Sequence, residues 1–120
     1  MCMKISKKDL LRINRGFDGN LISDSSIEFA MEKQEDKKLG GYKKLAYLMR
    51  AILVDHPFTD GNKRTAMFVA LNFAIENKKQ IDKEILLYQI VSIAKKSIIN
   101  IRQIEWRLKN AIKWNKEDNK

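Results

Sequence analysis

The stretch HPFTDGNKRTA, His56 to Ala66, gathers the chain's only histidine and only proline with an acid, a glycine, an asparagine and two adjacent cations. The imidazole of His56 is the one side chain here able to take up a proton near neutral pH without a perturbed environment. Asp60 offers a hard oxygen at the rim of the loop, suited to one bond to Mg²⁺ while phosphates and water complete the shell. Gly61 permits backbone geometry closed to other residues and lets a ligand approach closely. With a helix opening at Asn62 or Lys63, the N–H groups of Gly61, Asn62 and Lys63 meet at its N-terminus. Open donors and the helix dipole make that end a site for an anion. Arg64 can fork onto phosphate oxygens. Positive side chains are unfavourable at a helix start, so Lys63 and Arg64 together point to an anionic ligand that compensates them. A plainer reading of the same residues stays open: an Asp-Gly turn, an asparagine cap and two solvated cations, with His56 closing the preceding helix.

The elements that must position these groups all read as helices. Ser6 with Asp9 resembles a capping start for a first helix through Leu10, Leu11 and Ile13. NRGFDGN breaks it. Ser25 with Glu28 forms a capping pair for a second helix carrying Ile27, Phe29, Ala30 and Met31. KKLGG, around Leu39 to Gly41, ends that segment in a mobile loop. Leu45, Leu48, Met49 and Ile52 then fall at i, i+3, i+4 and i+7, one apolar stripe. This helix stops near Asp55 or His56, because the residue before a proline is pushed out of the α region. Phe58 turns inward and anchors the loop. The helix beginning near Asn62 or Lys63 carries Ala66, Val69, Ala70 and Phe73, widened by Met67 and Ala74. It is apolar on most sides, which predicts the central, buried helix. Asp82 caps a further helix, and Asn100 with Gln103 starts the last one. The tail NKEDNK is expected to fray. The expectation is one all-α domain over 1–120, a bundle around the helix at 62–77.

Composition narrows the function classes. The chain has 120 residues and a net charge of +9, from 24 Lys and Arg against 15 Asp and Glu. Such an excess attracts polyanions: nucleic acid, nucleotides or an acidic protein. Most lysines have acids nearby, and no basic run is interleaved with aromatics, so direct nucleic-acid binding is not expected. The lone cysteine, Cys2, cannot form an internal disulfide, and with one histidine no metal-ligand cluster is expected. A reducing cytoplasm is the expected compartment, with no signal peptide and no membrane span.

HPFTDGNKRTA resembles the signature of the Fic/Doc superfamily, His-x-Phe-x-Asp/Glu-Gly/Ala-Asn-Gly/Lys-Arg. Lys63, followed by Thr65 and Ala66, is similar to the death-on-curing (Doc) branch. DLLRINRGFDGNLISDSSIEFAME, KKLAYLMRAILVDHPF and IVSIAKK…IEWRLKN resemble the opening segment, the helix leading into the motif and the closing helices. The resemblance implies a Fic-fold helical bundle around a central helix. It also implies transfer of a phosphate-containing group from ATP or another nucleoside triphosphate, with Mg²⁺, to a Ser, Thr or Tyr hydroxyl of a target protein. By position, His56 is the base that takes the hydroxyl proton. Asp60 holds Mg²⁺, Gly61, Asn62 and Lys63 form the anion cradle, and Arg64 steadies the phosphates. DKKLGGYKK stands where the family has a target-docking flap, so a short flap hairpin is expected at Leu39, Gly40 and Gly41. An ordinary glycine cap and linker is the other reading of those residues.

Two departures choose between branches. AMP-transferring Fic proteins usually have Gly where Lys63 stands, and a second arginine where this chain has Met67. Both differences favour the Doc-like reading: a toxin-type kinase, with elongation factor Tu as the type of target. The alternatives are a Fic-type AMP transferase and, in another class, a non-catalytic basic binding module. Many Fic proteins carry an inhibitory helix, Ser/Thr-x-x-x-Glu-Gly/Asn. The nearest match here, NFAIEN at 72–77, lacks the Ser/Thr and puts Glu76 about three turns from Arg64. The resemblance therefore implies control by a separate antitoxin with an acidic, partly disordered segment.

Overall fold

The computed structural model describes residues 3–113. Cys2 and the tail NKEDNK lie outside them. The elements run α1 (Lys7–Arg15), α2 (Ser25–Glu35), α3 (Gly41–Leu53), α4 (Asn62–Glu76), β1 (Gln80–Ile81), α5 (Lys83–Lys96), α6 (Ile101–Ala111) and β2 (Ile112–Lys113). The fold is all-α, as the stripes predict. Three helix starts carry the expected side-chain caps. Ser6 Oγ accepts from the Asp9 N–H at 3.0 Å, Asp82 Oδ1 from Ile85 at 3.1 Å, and Asn100 Oδ1 from Gln103 at 2.9 Å. Each satisfies one donor that a helix start otherwise leaves open.

The second helix corrects the reading from sequence. Its N-cap is Asp24, not Ser25, and no side-chain cap bond forms. Instead Asp24 and Glu28 both turn to Lys7 Nζ, which closes α1 against α2. These bonds, Glu28 first and then Asp24, raise the Lys7 pKa above its ordinary value. Glu28 of the expected pair is therefore spent, with Asp24, on a contact between helices, which local spacing cannot reveal.

The central helix also differs from expectation. It is α3, not α4. In α3 Leu45, Ala46, Met49, Ile52 and Leu53 are fully buried, and it packs against α2, α4, α5 and α6. In α4 the predicted stripe Ala66, Val69, Ala70, Phe73 and Ala74 is buried, but Phe68 is 41% and Ile75 72% exposed. Apolar residues all round a helix do not bury it when one face has no neighbour to meet.

The strand pairing found lies at β1 and β2, antiparallel, with Gln80 opposite Lys113 and Ile81 opposite Ile112. The segment between α2 and α3 is a turn: the Leu39 N–H bonds the Asp36 carbonyl at 3.2 Å and the Lys38 N–H bonds Asp36 Oδ1 at 2.9 Å. Gly41, expected in a loop, is the first residue of α3. No helix among the described residues is long and apolar enough to cross a membrane.

Candidate active site

The loop from His56 to Gly61 joins the end of α3 to the start of α4. Helix α3 ends at Leu53, with Val54 at its C-cap. The following proline bars His56 from the right-handed helical region, and His56 takes the left-handed one instead, at φ 47°. That conformation is uncommon for a residue with a side chain and is held only where its surroundings fix it. The imidazole stands exposed. Phe58 turns inward as expected, 2% exposed.

What fixes the loop is the chain between α1 and α2. The Pro57 carbonyl accepts from the Ile22 N–H at 2.8 Å and the Ser23 N–H at 3.3 Å. Leu21 and Phe58 form an antiparallel bridge. The Thr59 N–H donates to the Asn20 carbonyl at 2.9 Å, and the Asn20 N–H to Thr59 Oγ1 at 3.0 Å. Residues 20–23 thus run beside the loop as a short strap. The Asn62 amide clips the loop from inside, donating to the Phe58 carbonyl at 3.0 Å and accepting from its N–H at 3.3 Å. The side chain of Asn62 is structural; its backbone N–H remains for a ligand.

The start of α4 has no side-chain cap and no acid in its first turn. Gly61, at φ 72°, makes the left-handed turn into the helix, and a Cβ there would come within 3.0 Å of Phe17. The Gly61 N–H is held by Asp60 Oδ1 at 2.7 Å. The first-turn donors that follow have no partner of the i−4 kind available to them. Lys63 and Arg64 are exposed, and among the described residues neither makes an ion pair. An uncapped helix start and two exposed cations form a donor set that fits an anionic phosphate chain, while the Asp60 carboxylate, which can only accept, suits a cation. No group of three His, Cys, Asp or Glu able to hold a metal ion exists among the described residues. The loop carries one carboxylate, Asp60, which would fit a Mg²⁺ arriving with phosphates and water as its other ligands.

Two grooves flank the loop. One, of about 520 Å³, is lined by Ser23, Ser25, Phe29, Tyr47, Arg50 and Asp55, next to His56. The other, of about 300 Å³, lies on the cationic side, with Lys63 and Arg64 at the rim of a floor of Phe17, Met67, Phe68 and Leu87. The predicted residues His56, Asp60, Gly61, Asn62, Lys63 and Arg64 are brought together on one loop and helix turn. Leu39, Gly40 and Gly41 are not. Leu39 and Gly40 precede α3 and Gly41 begins it, while His56 follows its end, and the 13 residues of α3 rise about 20 Å.

Sequence reasoning missed the residues that hold the loop: Asn14, Gly19, Asn20, Thr59 and Thr65. NRGFDGN reads as a helix break and nothing more. One signal was present. Asn14 lies one turn after Leu10 on the apolar stripe, and both are buried, at 1% and 0% exposure. A polar residue on a buried stripe needs a partner, and here the partners are the Asp60 carbonyl in the loop and the Thr65 hydroxyl on α4.

The model of the Fic/DOC family matches residues 5–74, from just before α1 nearly to the end of α4. The chain belongs to the Fic/DOC family. Members of this family typically transfer nucleotide-derived groups to proteins and generally use a nucleoside triphosphate with Mg²⁺, so membership supports a protein-modifying function of the Fic type. No curated protein and no solved structure matches the chain.

Proposed function

We propose that this chain is a Doc-like protein kinase of a toxin–antitoxin pair, which moves the terminal phosphate of ATP to a hydroxyl of a target protein. The observation that carries the reading is the composition of the cradle. Lys63 stands exposed at the first turn of α4, where AMP-transferring relatives usually have glycine. Met67, in the place of their second arginine, is half-buried in the apolar groove. One arginine and one lysine, rather than two arginines, therefore face the phosphates.

In this reading each group has one task. His56, exposed at the loop rim, accepts the proton of the target hydroxyl as its oxygen attacks phosphorus. The N–H groups at the start of α4, with Lys63 and Arg64, hold the phosphate chain and spread its charge. Phosphoryl transfer draws on positioning and charge neutralisation more than on covalent help, so a loop this small suffices. Bound Mg²⁺ would neutralise charge on the transferring phosphates, with Asp60 as its one protein ligand. The target enters beside His56, along the strap at 20–23 and the groove that ends at Asp55, rather than at the turn before α3. Control falls to a separate antitoxin with an acidic segment. Glu76, the nearest approach to an internal inhibitory glutamate, ends α4, 12 residues and roughly 18 Å from Arg64.

The test is the intact mass of a target incubated with the protein and Mg–ATP, with elongation factor Tu as the first substrate tried. Addition of one phosphate is expected. Addition of AMP would assign the Fic-type alternative. Absence of modification, with a His56→Ala protein no less harmful to cells than wild type, would assign the non-catalytic module.

A further inference from the structure

We infer that Asn14, on the last turn of α1, is a positioning residue for the phosphate cradle, acting by fixing the peptide between Asp60 and Gly61. This inference rests on the reading of that turn as a phosphate site. Asn14 is 1% exposed. Its Nδ2 donates to the Asp60 carbonyl at 2.9 Å and to Thr65 Oγ1 at 3.1 Å. One amide group thereby grips α4 on both sides of its start, 46 and 51 residues away in the chain. The orientation of the amide is not interchangeable. The Asp60 carbonyl can only accept, so the NH₂ end must face it.

The consequence follows from peptide geometry. In a planar trans peptide the C=O and the next N–H point in opposite directions. Pulling the Asp60 carbonyl inward to Asn14 aims the Gly61 N–H outward, toward the cradle mouth. There it meets Asp60 Oδ1 at 2.7 Å. A phosphate oxygen that takes this donor frees the carboxylate for the cation that accompanies it.

Two further observations say that the arrangement serves geometry rather than stability. Among the described residues Asn14 Oδ1, though buried, has no hydrogen-bond partner, a cost to folding that an apolar residue at this stripe position would avoid. Gly19 completes the clamp. A Cβ on Gly19 would overlap both Asn14 Oδ1 and the Asp60 carbonyl, so only glycine lets the two meet.

The experiment compares wild type with Asn14→Ala, Gly19→Ala, Thr65→Val and Thr65→Ser, all ¹⁵N-labelled. Without nucleotide, the Gly61 and Asn62 amide signals are expected to move in the first three and to stay in place in Thr65→Ser, which keeps the hydroxyl. Loss of an aimed donor is expected to weaken Mg–ATP binding about tenfold in the first three. The KM for nucleotide rises with it, while the KM for the target protein does not. A folded Asn14→Ala protein with an unmoved Gly61 amide, or with wild-type Mg–ATP affinity, would overturn the inference. Where Asn14→Ala does not fold, an unmoved Gly61 amide in Gly19→Ala or Thr65→Val overturns it equally. Wild-type protein that binds no Mg–ATP would overturn the functional reading instead, and the amide signals would still decide the role of Asn14.

Discussion

Two helix starts in this molecule look alike in sequence and differ in what surrounds them. Helix α3 opens with Gly40, Gly41, Tyr42, Lys43 and Lys44, and α4 with Gly61, Asn62, Lys63 and Arg64. Neither has a side-chain cap, and neither has an acid in its first turn. Two cations at a helix start therefore do not by themselves mark an anion site here. The α3 start is tied into the core. The buried hydroxyl of Tyr42 donates to the Ile112 carbonyl at 2.8 Å, and its ring lies 5.3 Å from that of Phe73. Burial raises the pKa of that phenol, so it stays protonated and donating. The α4 start is instead gripped from behind, by Asn14, the strap at 20–23 and the Asn62 clip, while its donors and cations face outward beside His56 and Asp60. The setting, not the charge pattern, separates the two ends.

The largest expected effect breaks the α4 side at its chemistry. Replacing His56 by alanine is expected to lower transfer by about 10²–10⁴, the usual contribution of a general base. Its melting temperature should stay close to wild type, because the imidazole is exposed. Rates at the wild-type level, measured on the same modified target, would remove His56 from the reaction.

Next comes binding, which sets the two starts against each other directly. With Mg–ATP at 100 times its Kd, a ligand bound only to the folded state stabilises it by about 2.7 kcal/mol. Asp60→Ala and Arg64→Ala are expected to lose most of the resulting rise in melting temperature. Lys43→Ala and Lys44→Ala are expected to keep it. Loss of the rise in the lysine variants would place the nucleotide at α3.

Backbone strain gives a smaller contrast. Gly61→Ala forces a side chain into φ 72° and toward Phe17, and is expected to cost about 1–3 kcal/mol in chemical denaturation. Gly40→Ala, at φ −73° with nothing within 4 Å of the new Cβ, is expected to stay within about 0.5 kcal/mol of wild type. Of similar size, Tyr42→Phe removes one buried hydrogen bond. It is expected to cost about 1 kcal/mol and to leave Mg–ATP binding untouched. A variant that bound less tightly would join the two helix starts that this account holds apart.

Local rules carry far in this chain because helix signals are local. The stripes of α1, α3 and α4 and the caps Ser6, Asp82 and Asn100 follow from spacing and from one side chain reaching one backbone donor. The motif residues from His56 to Arg64 are contiguous, so a single loop keeps them together however the helices pack. Long-range matters were not legible. Which helix is central depends on what covers Phe68 and Ile75, and no window of sequence contains that. Asp24 and Glu28 meet Lys7 only after α1 and α2 dock. The place of the strap was hidden for the same reason: Leu21 and Phe58 become neighbours through tertiary pairing. The two glycines before α3 looked like a bend, yet one only precedes the helix and the other begins it.

The central claim is that the first turn of α4, and not that of α3, holds the phosphates of a nucleotide. Titrating ¹⁵N-labelled protein with Mg–ATP and following the amides of Gly61, Asn62, Lys63 and Arg64 against those of Gly41, Tyr42, Lys43 and Lys44 tests it most directly. Saturable shifts at the α4 start, with the α3 start unmoved, are the predicted result. Shifts centred on the α3 start, or none at Gly61 through Arg64 at saturating nucleotide, would contradict it.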